Sequence, residues 1–375
     1  MIDLSVELAD LDLNNPILVA SGPATKDFIH MKKCVDAGAA AVVTKTVVPV
    51  PVPVPSPRLA VFDGIGMQNI DTFSEHEVKI WIEREISETR KLGVPIIVSI
   101  ASGELDKLIN LAKTMEQAEV DMIELNLSCP HALEGRIISA DAELTESYVK
   151  QVKEAIDLPV MPKLTPNVTD IAQIAGIAET AGADAISAIN TIKCLIGVDI
   201  NLGKAILPTF GGYSGPAIKP IALRCIAEIA SLVKIPVSGI GGIMSWKDVI
   251  EMLMIGATTV QLCTAIMWRG YKTISDIISG VKGFMERNEY SCPKEFIGRA
   301  LENLVPSEKF YEIPTKPLKA FVNKKLCTGC GLCMHSCFCD AIYVVDGVAE
   351  VESALCDGCG LCAQLCPRNA VYLAV

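Results

Sequence analysis

Long basic runs are missing from this chain, and so is any surplus of positive charge. Its 33 Lys and Arg stand against 44 Asp and Glu, for a formal net charge of −11. Proteins that bind nucleic acid need the opposite balance to neutralise phosphates, so no nucleic-acid partner is expected. Aromatic residues are scarce too, at 5% of 375, although half the residues are hydrophobic. Such a composition suits an aliphatic core of the α/β kind.

Targeting features are equally absent. Met1 to Asp10 has neither the basic flank nor the apolar run of a secretory signal. The most hydrophobic stretch, Ile250 to Trp268, is interrupted by Glu251, Gly256-Ala257 and Gln261. It reads as a helix end, a turn and a buried parallel strand rather than a membrane span. A cytoplasmic protein with no membrane partner is expected. In that setting 15 cysteines argue against disulfides, and the clustering of eight of them argues for metal.

Those eight form two runs of the pattern C-x₂-C-x₂-C-x₃-C. The first is Cys327, Cys330, Cys333 and Cys337; the second is Cys356, Cys359, Cys362 and Cys366, followed by Pro367. In this pattern three thiolates from one tight loop hold three irons of a cubane, and the fourth ligand comes from the other run. Cys327, Cys330, Cys333 and Cys366 are therefore assigned to one [4Fe–4S] cluster, and Cys356, Cys359, Cys362 and Cys337 to a second. Zinc sites show two pairs of ligands rather than two runs of four, which disfavours structural zinc. Phe338 stands where the second run has Pro367, and Cys339 reads as an extra thiol that is not a ligand. Between the runs, Ala341–Val345, the turn Asp346-Gly347 and Val348–Val351 predict a hairpin. Asn369 to Leu373 matches Asp340 to Val344, so the segment is an internal duplication of one cluster-binding half.

Before about residue 290, apolar strands alternate with amphipathic helices. Eight strands are expected: Pro16–Ala20, Ala40–Lys45, Ile96–Ile100, Met122–Leu127, Val160–Leu164, Ala185–Ile189, Val237–Ile240 and Thr259–Leu262. This predicts an α/β fold, a (β/α)₈ TIM barrel over residues 1–290. A doubly wound sheet is the alternative. Ile2 to Leu13 alternates as a short hairpin placed to plug the bottom of the barrel. Residues 291–321 read as a linker helix and extended arm, and 322–375 as an α+β ferredoxin-like domain for two [4Fe–4S] clusters. The Val/Pro alternation from Val47 to Pro57 reads as a stiff, polyproline-like loop.

Barrel chemistry sits at the carboxyl ends of the strands. There the chain places Ser21-Gly22, Thr44-Lys45-Thr46, Asn126 to His131, Lys163, Asn190-Thr191, Gly241-Gly242 and Thr264-Ala265. Loops after the seventh and eighth strands often hold phosphate, so Gly241, Gly242, Thr264 and Ala265 are candidates for it.

These residues resemble the dihydroorotate dehydrogenase family, and within it the dihydropyrimidine dehydrogenases whose bacterial catalytic subunits carry a barrel and a C-terminal two-cluster domain. The resemblance covers nearly the whole chain. It is sharpest at Glu124-Leu-Asn-Leu-Ser-Cys-Pro-His131, Lys163-Leu-Thr-Pro-Asn-Val-Thr-Asp170, Ala188-Ile-Asn-Thr191, Gly212-Tyr-Ser-Gly215 and Ser238-Gly-Ile-Gly-Gly-Ile243. It implies FMN as cofactor, with Lys45 and Lys163 at the flavin and Ala20, Ser21, Gly22, Thr44, Ser214, Gly215, Gly241, Gly242, Thr264 and Ala265 around it. Asn69, Asp71, Asn126, Ser128, His131, Asn190 and Thr191 would face a pyrimidine-like substrate, and Cys129 would be the general acid/base. Amides suit such a ring because each offers both a donor and an acceptor.

Two departures bear on substrate. Asp71 stands where the dihydropyrimidine group has the longer Glu. His131 stands where orotate enzymes have an Asn that helps hold the orotate carboxylate. The expected reaction is interconversion of uracil or thymine with the 5,6-dihydro form. The alternatives are dihydroorotate oxidation, an ene-reductase for another cyclic substrate, and an electron-transfer subunit with an idle barrel. No dinucleotide-binding βαβ unit follows the Gly-x-Gly-Gly at 239–242. Electrons are therefore expected to pass through the clusters to a separate NAD(P)H-oxidising flavoprotein subunit or a soluble ferredoxin. A homo-oligomer or hetero-complex is expected.

Overall fold

The alternation of the first residues produces a hairpin: β1 (Val6–Leu8) pairs antiparallel with β2 (Leu11–Leu13). Its apolar side chains Val6, Leu8, Leu11 and Leu13 pack with Leu18, Val43, Ile97, Met122, Met161 and Ala185. These last six come from successive strands, so the hairpin closes one end of the cylinder they form. The computed structural model describes residues 2–128, 137–313 and 315–375. The chain divides into two units, Met1–Leu304 and Val305–Val375.

In the first unit, β3 (Ile17–Val19) and β4 (Ala41–Val43) are followed by an inserted hairpin, β5 (Leu59–Phe62) and β6 (Gly66–Asn69). Then come β7 (Ile96–Ile100), β8 (Met122–Asn126), β9 (Val160–Leu164) and β10 (Ile186–Ala188). A second insertion holds β11 (Ile192–Cys194), β12 (Val198–Asp199), β13 (Lys204–Ala205) and β14 (Gly211–Ser214), before β15 (Val237–Ile240) and β16 (Thr259–Leu262). Strands β3, β4, β7, β8, β9, β10, β15 and β16 form one closed parallel barrel in chain order, sealed where Val260 faces Ile17 and Leu262 faces Val19. The fold is thus a TIM barrel, and the doubly wound alternative is excluded.

Period-two alternation gives each strand two faces. Ile17, Val19, Val42, Val98, Ile123, Leu125, Val160 and Val260 join the core that lies under the helices. Their neighbours point into the barrel. The inward positions change character along the axis: apolar beside the hairpin plug, then polar at Ser99, Glu124, Lys163, Ser187, Ser238 and Gln261, all buried. This polar layer is the floor on which the site is built.

Both insertions meet beyond the open end. There β11, β14, β6 and β5 form an antiparallel sheet, with Asn69 opposite Gly212. A Cβ at Gly212 would come within 2.1 Å of Thr191 Oγ1, so only glycine lets this sheet press against the strand-six loop.

Several strands are a residue shorter at an end than expected, and three boundaries differ in ways that matter for the site and the units. Strand two was expected to run to Lys45, but pairing as a strand ends at Val43, and the Lys45 N–H donates to Thr25 O at 3.0 Å. Residues 291–304 are not linker. Phe296 is fully buried in the barrel core, tilted against Tyr290 and edge-on to Phe284 at centroid distances of 5.1 and 5.7 Å. Gly298 and Ala300 N–H groups donate to Leu253 and Met254 carbonyls. The small unit also starts earlier than residue 322, because β17 (Lys319–Val322) pairs with the last strand, β20 (Val371–Ala374).

In that second unit β18 (Ile342–Val345) and β19 (Val348–Val351) form the expected hairpin. Short helices Leu332–His335 and Leu361–Leu365 follow the third-from-last cysteines of each run in matching places. Cys333 and Cys362 are the equivalent buried cysteines of a core shared with Ala320, Ile342, Ala349 and Val371.

Candidate functional site

The strand ends converge on one cavity of about 360 Å³, within the range that holds a drug-sized ligand. Ala20, Ser21 and Gly22 reach it from β3, Lys45 from β4, and Asn69 and Asp71 from β6. Asn126 and Ser128 follow β8, Lys163 ends β9, and Asn190 and Thr191 follow β10. Ser214 and Gly215 arrive from β14, Gly241 and Gly242 from β15, and Thr264 from β16. Two expected residues are not on the wall. Thr44 is one step out of phase with Lys45 on the strand, and its hydroxyl accepts from Ser99 N–H at 3.1 Å. Ala265 is fully buried within the turn that Thr264 opens. Cys129 and His131 lie outside the described residues.

The polar groups are held in place by one another. Thr46 is the hub: its Oγ1 lies 3.0 Å from both Ser21 Oγ and Ser99 Oγ and accepts from Asn126 Nδ2 at 3.0 Å. Ser128 donates to Asn126 Oδ1 at 3.3 Å, and Asn190 Nδ2 donates to Ser128 Oγ at 2.6 Å. Thr191 N–H then donates to Asn190 Oδ1 at 2.7 Å, while Asn69 Nδ2 donates to Gly212 O at 3.0 Å. Locked rotamers of this kind present amides to a ligand at little further entropic cost.

Two ion pairs flank the network. Lys45 Nζ is 3.0 Å from Asp71 Oδ2, with both side chains about one-tenth exposed, and Arg58 Nε approaches Asp71 Oδ1 at 3.3 Å. Lys163 Nζ is 3.5 Å from Glu124 Oε1 in the polar layer below. Asp71 Oδ1 and Gln261 Oε1 are buried without a hydrogen-bond partner among the described residues. Burial pushes the Cys263 thiol up, the charges of Lys163 and Lys45 opposing it and that of Asp71 adding to it. At the far end Gly242 has φ +75°, and a Cβ there would meet Lys219 N at 2.6 Å. The bare Gly241-Gly242 loop lines the same cavity as Thr264, whose hydroxyl donates to Ser214 Oγ at 3.0 Å.

A flavin mononucleotide fits this donor set. Two lysines suit a ring that gains negative charge on reduction, a glycine loop and Thr264 suit its phosphate, and the unpartnered Gln261 and Asp71 oxygens suit N–H donors. Thr46, Glu124, Gln261, Cys263 and Asn167 were not expected at the site. Thr46 and Cys263 were legible as strand-end residues, and Glu124 and Asn167 lie within the segments where the family resemblance is sharpest; Gln261 gave no signal beyond its place in an apolar strand.

In the small unit, a narrow cavity of about 20 Å³ is lined by Cys327, Cys330, Cys333 and Cys366, three thiols from one run and one from the other. Backbone N–H groups turn toward these sulfurs, from Ala349 to Cys327 Sγ at 3.3 Å and from Ala370 to Cys366 Sγ at 3.2 Å. Burial raises the Cys366 thiol, but the N–H groups of Ala370, Arg368, Val371 and Asn369 outweigh it and hold the thiol below its ordinary range. That favours the thiolate a metal requires. Among the described residues no helix is long and apolar enough to cross a membrane.

Known proteins share these features. The sequence profile of dihydroorotate dehydrogenase matches residues 3–285, and that of the 4Fe-4S binding domain matches residues 349–372. The NAD-dependent dihydropyrimidine dehydrogenase subunit PreA of Escherichia coli (strain K12) is 34% identical over 364 residues, covering 90% of this chain and 85% of that protein. The catalytic subunit of dihydroorotate dehydrogenase B (NAD(+)) of Thermococcus kodakarensis is 39% identical over 301 residues, covering 80% and 98%. That of Methanothermobacter thermautotrophicus is 38% identical over 308 residues, covering 79% and 98%. With its eight-stranded barrel, a flavin-sized cavity at the strand ends and a cysteine-rich 4Fe-4S unit, the chain belongs to the dihydroorotate dehydrogenase family and is an iron–sulfur flavoprotein oxidoreductase of CH–CH bonds.

Proposed function

We propose that this chain interconverts uracil or thymine with the 5,6-dihydropyrimidine, and that two [4Fe–4S] clusters carry its electrons to or from a separate partner. The observation that supports this reading most is Asp71. Its carboxylate lies on the cavity wall, with Oδ2 on Lys45 and Oδ1 buried, in ion-pair contact with Arg58 Nε at 3.3 Å but accepting no hydrogen bond among the described residues. A neutral ring with N–H groups can satisfy such an acceptor. A substrate carboxylate has no proton to donate to that oxygen, whereas ring N–H groups do.

FMN supplies two-electron hydride exchange with the substrate, and the clusters supply one-electron steps. The chain's own residues do the rest. Asn69, Asn126, Asn190 and Thr191 hold the amide edges of the ring, since each amide can donate and accept. Lys45 and Lys163 hold positive charge beside the flavin ring, and Ser214, Gly215, Gly241, Gly242 and Thr264 bind its phosphate. Cys129 exchanges a proton with substrate C5; its sequence neighbours Asn126 and Ser128 both line the cavity. An ordinary thiol, with a pKa of about 8.5, is a competent acid near neutral pH. Cys337, Cys356, Cys359 and Cys362 hold the second cluster as Cys327, Cys330, Cys333 and Cys366 hold the first. The barrel serves substrate and FMN and the small unit serves the clusters, so NAD(P)H is oxidised on a partner subunit or replaced by a soluble ferredoxin. Both kinds of relative are named as subunits, which supports a dimer or larger complex.

Dihydroorotate oxidation is the second reading, favoured by the 39% identity to a dihydroorotate dehydrogenase B catalytic subunit. One anaerobic experiment separates them. The flavin spectrum of purified protein should bleach with dihydrouracil or dihydrothymine and persist with dihydroorotate. Cys129→Ala should slow bleaching by roughly 10²-fold while leaving FMN bound. Bleaching by dihydroorotate alone would replace this reading with the second.

A further inference from the structure

Among the described residues, Glu124 is the one carboxylate in the polar layer inside the barrel. It is fully buried, on β8 between the apolar layer at the plug and the cavity above. Its Oε2 accepts from Ser187 Oγ at 2.9 Å, and Gln261 Nε2 donates to Ser187 Oγ at 3.2 Å and to Ser238 Oγ at 3.1 Å. Thr259 donates onward to Ser238 at 2.8 Å. The carboxylate is therefore fixed from β10, which is braced in turn by β15 and β16. Its Oε1 has no hydrogen-bond partner among the described residues, and the nearest cation is Lys163 at 3.5 Å. Lys163 is itself only 5% exposed, and it lines the cavity.

A carboxylate sealed in a barrel is costly unless a cation compensates it. Were Lys163 not there, a structural role would be met more cheaply by Gln or an apolar residue, since the rest of the layer is built of Ser, Thr and Gln. Lys45, the other wall lysine at a barrel-strand end among the described residues, has its own carboxylate in Asp71, which faces the cavity. Glu124 differs: it sits below Lys163, out of contact with any ligand.

We infer that Glu124 is a positioning residue for the flavin site that acts through Lys163. It holds the ammonium at the cavity floor and offsets its charge, so that the flavin ring meets an oriented dipole rather than a full positive charge. The consequence is a lower electron affinity of the flavin than Lys163 alone would give. This inference rests on the reading that places FMN in the cavity with Lys163 at its ring.

The test is an anaerobic redox titration of the FMN-loaded full-length protein, following flavin absorbance against indicator dyes. Glu124→Gln keeps the shape and removes the charge. It should favour the reduced flavin by at least tenfold, a positive shift of about 30 mV for a two-electron couple. Glu124→Asp, which withdraws the carboxylate by one methylene, should shift the potential in the same direction by less, and serves if Glu124→Gln does not fold. In a Lys163→Met background, adding Glu124→Gln should produce no further shift, because the route to the flavin is gone. An unchanged or more negative potential in Glu124→Gln overturns the inference. So does an equal shift in the Lys163→Met background, which would make the effect independent of the lysine. Wild-type protein that binds no flavin at all would instead overturn the reading of the cavity on which this one rests.

Discussion

Asp71 Oδ2 holds Lys45 Nζ at 3.0 Å on the cavity wall, while its other oxygen, Oδ1, is buried in ion-pair contact with Arg58 Nε at 3.3 Å and accepts no hydrogen bond among the described residues. One carboxylate thus serves two purposes: it fixes a lysine and leaves an acceptor for a ligand. Asp71→Asn keeps the size and removes the charge. A hydrogen bond to a charged group contributes roughly 1.5–3 kcal/mol, so kcat/KM for dihydrouracil should fall about 10- to 100-fold. The same change frees Lys45 for an anionic substrate, so the ratio of dihydroorotate to dihydrouracil turnover should rise. Steady-state kinetics with both substrates checks it. A fall for both by the same factor would mean that Asp71 only supports the fold of the wall.

The cavity bounded by Cys327, Cys330, Cys333 and Cys366 predicts that each cluster takes its fourth ligand from the other run. Replacing Cys327, Cys330 and Cys333 together by Ala should remove half of the iron. Adding Cys366→Ala to that triple variant should remove no more, because its cluster is already lost. Adding Cys337→Ala instead should strip the remaining half. Iron and sulfide analysis with low-temperature EPR of the reduced protein reads the outcome. The reverse result for Cys366 and Cys337 would mean that each run closes its own cluster.

The barrel strands were legible because strands buried on both faces are continuous apolar runs punctuated by turns. The two cysteine runs were legible by their spacing, and Cys327, Cys330, Cys333 and Cys366 do line one cavity. The site candidates at strand ends were legible by position, and all but Thr44 and Ala265 among the described ones line the cavity. Thr44 misled because a strand-end tripeptide shows three polar residues, and only the pairing register says which of them turns inward. The inward turn of Glu124 and Gln261 was hidden for a related reason. A single polar residue within an apolar strand carries no sign of whether it faces the barrel axis, where Ser187 and Ser238 wait for it, or the helices. Phe296 was missed because the segment around it is polar and proline-containing, and its one fully buried ring anchors by contacts that no periodic pattern records.

That ring yields a stability prediction that separates the two descriptions of residues 291–304. Were they a linker, Phe296→Ala would sit on the surface and change stability by no more than about 0.5 kcal/mol. In the structure Phe296 is fully buried beside Phe284 and Tyr290, under the core shared with the helix Lys272–Arg287. Truncating such a phenylalanine removes its transfer free energy and leaves a cavity, a loss of roughly 3–5 kcal/mol. Part of the gap can close by shifting Tyr290, so a value near the lower end is expected. Urea unfolding of the barrel, followed by tryptophan fluorescence, should show the midpoint falling with an unchanged slope. Trp246, whose ring centroid is 6.2 Å from that of Phe284, reports on this cluster directly. A midpoint equal to that of the unaltered protein would return these residues to the linker.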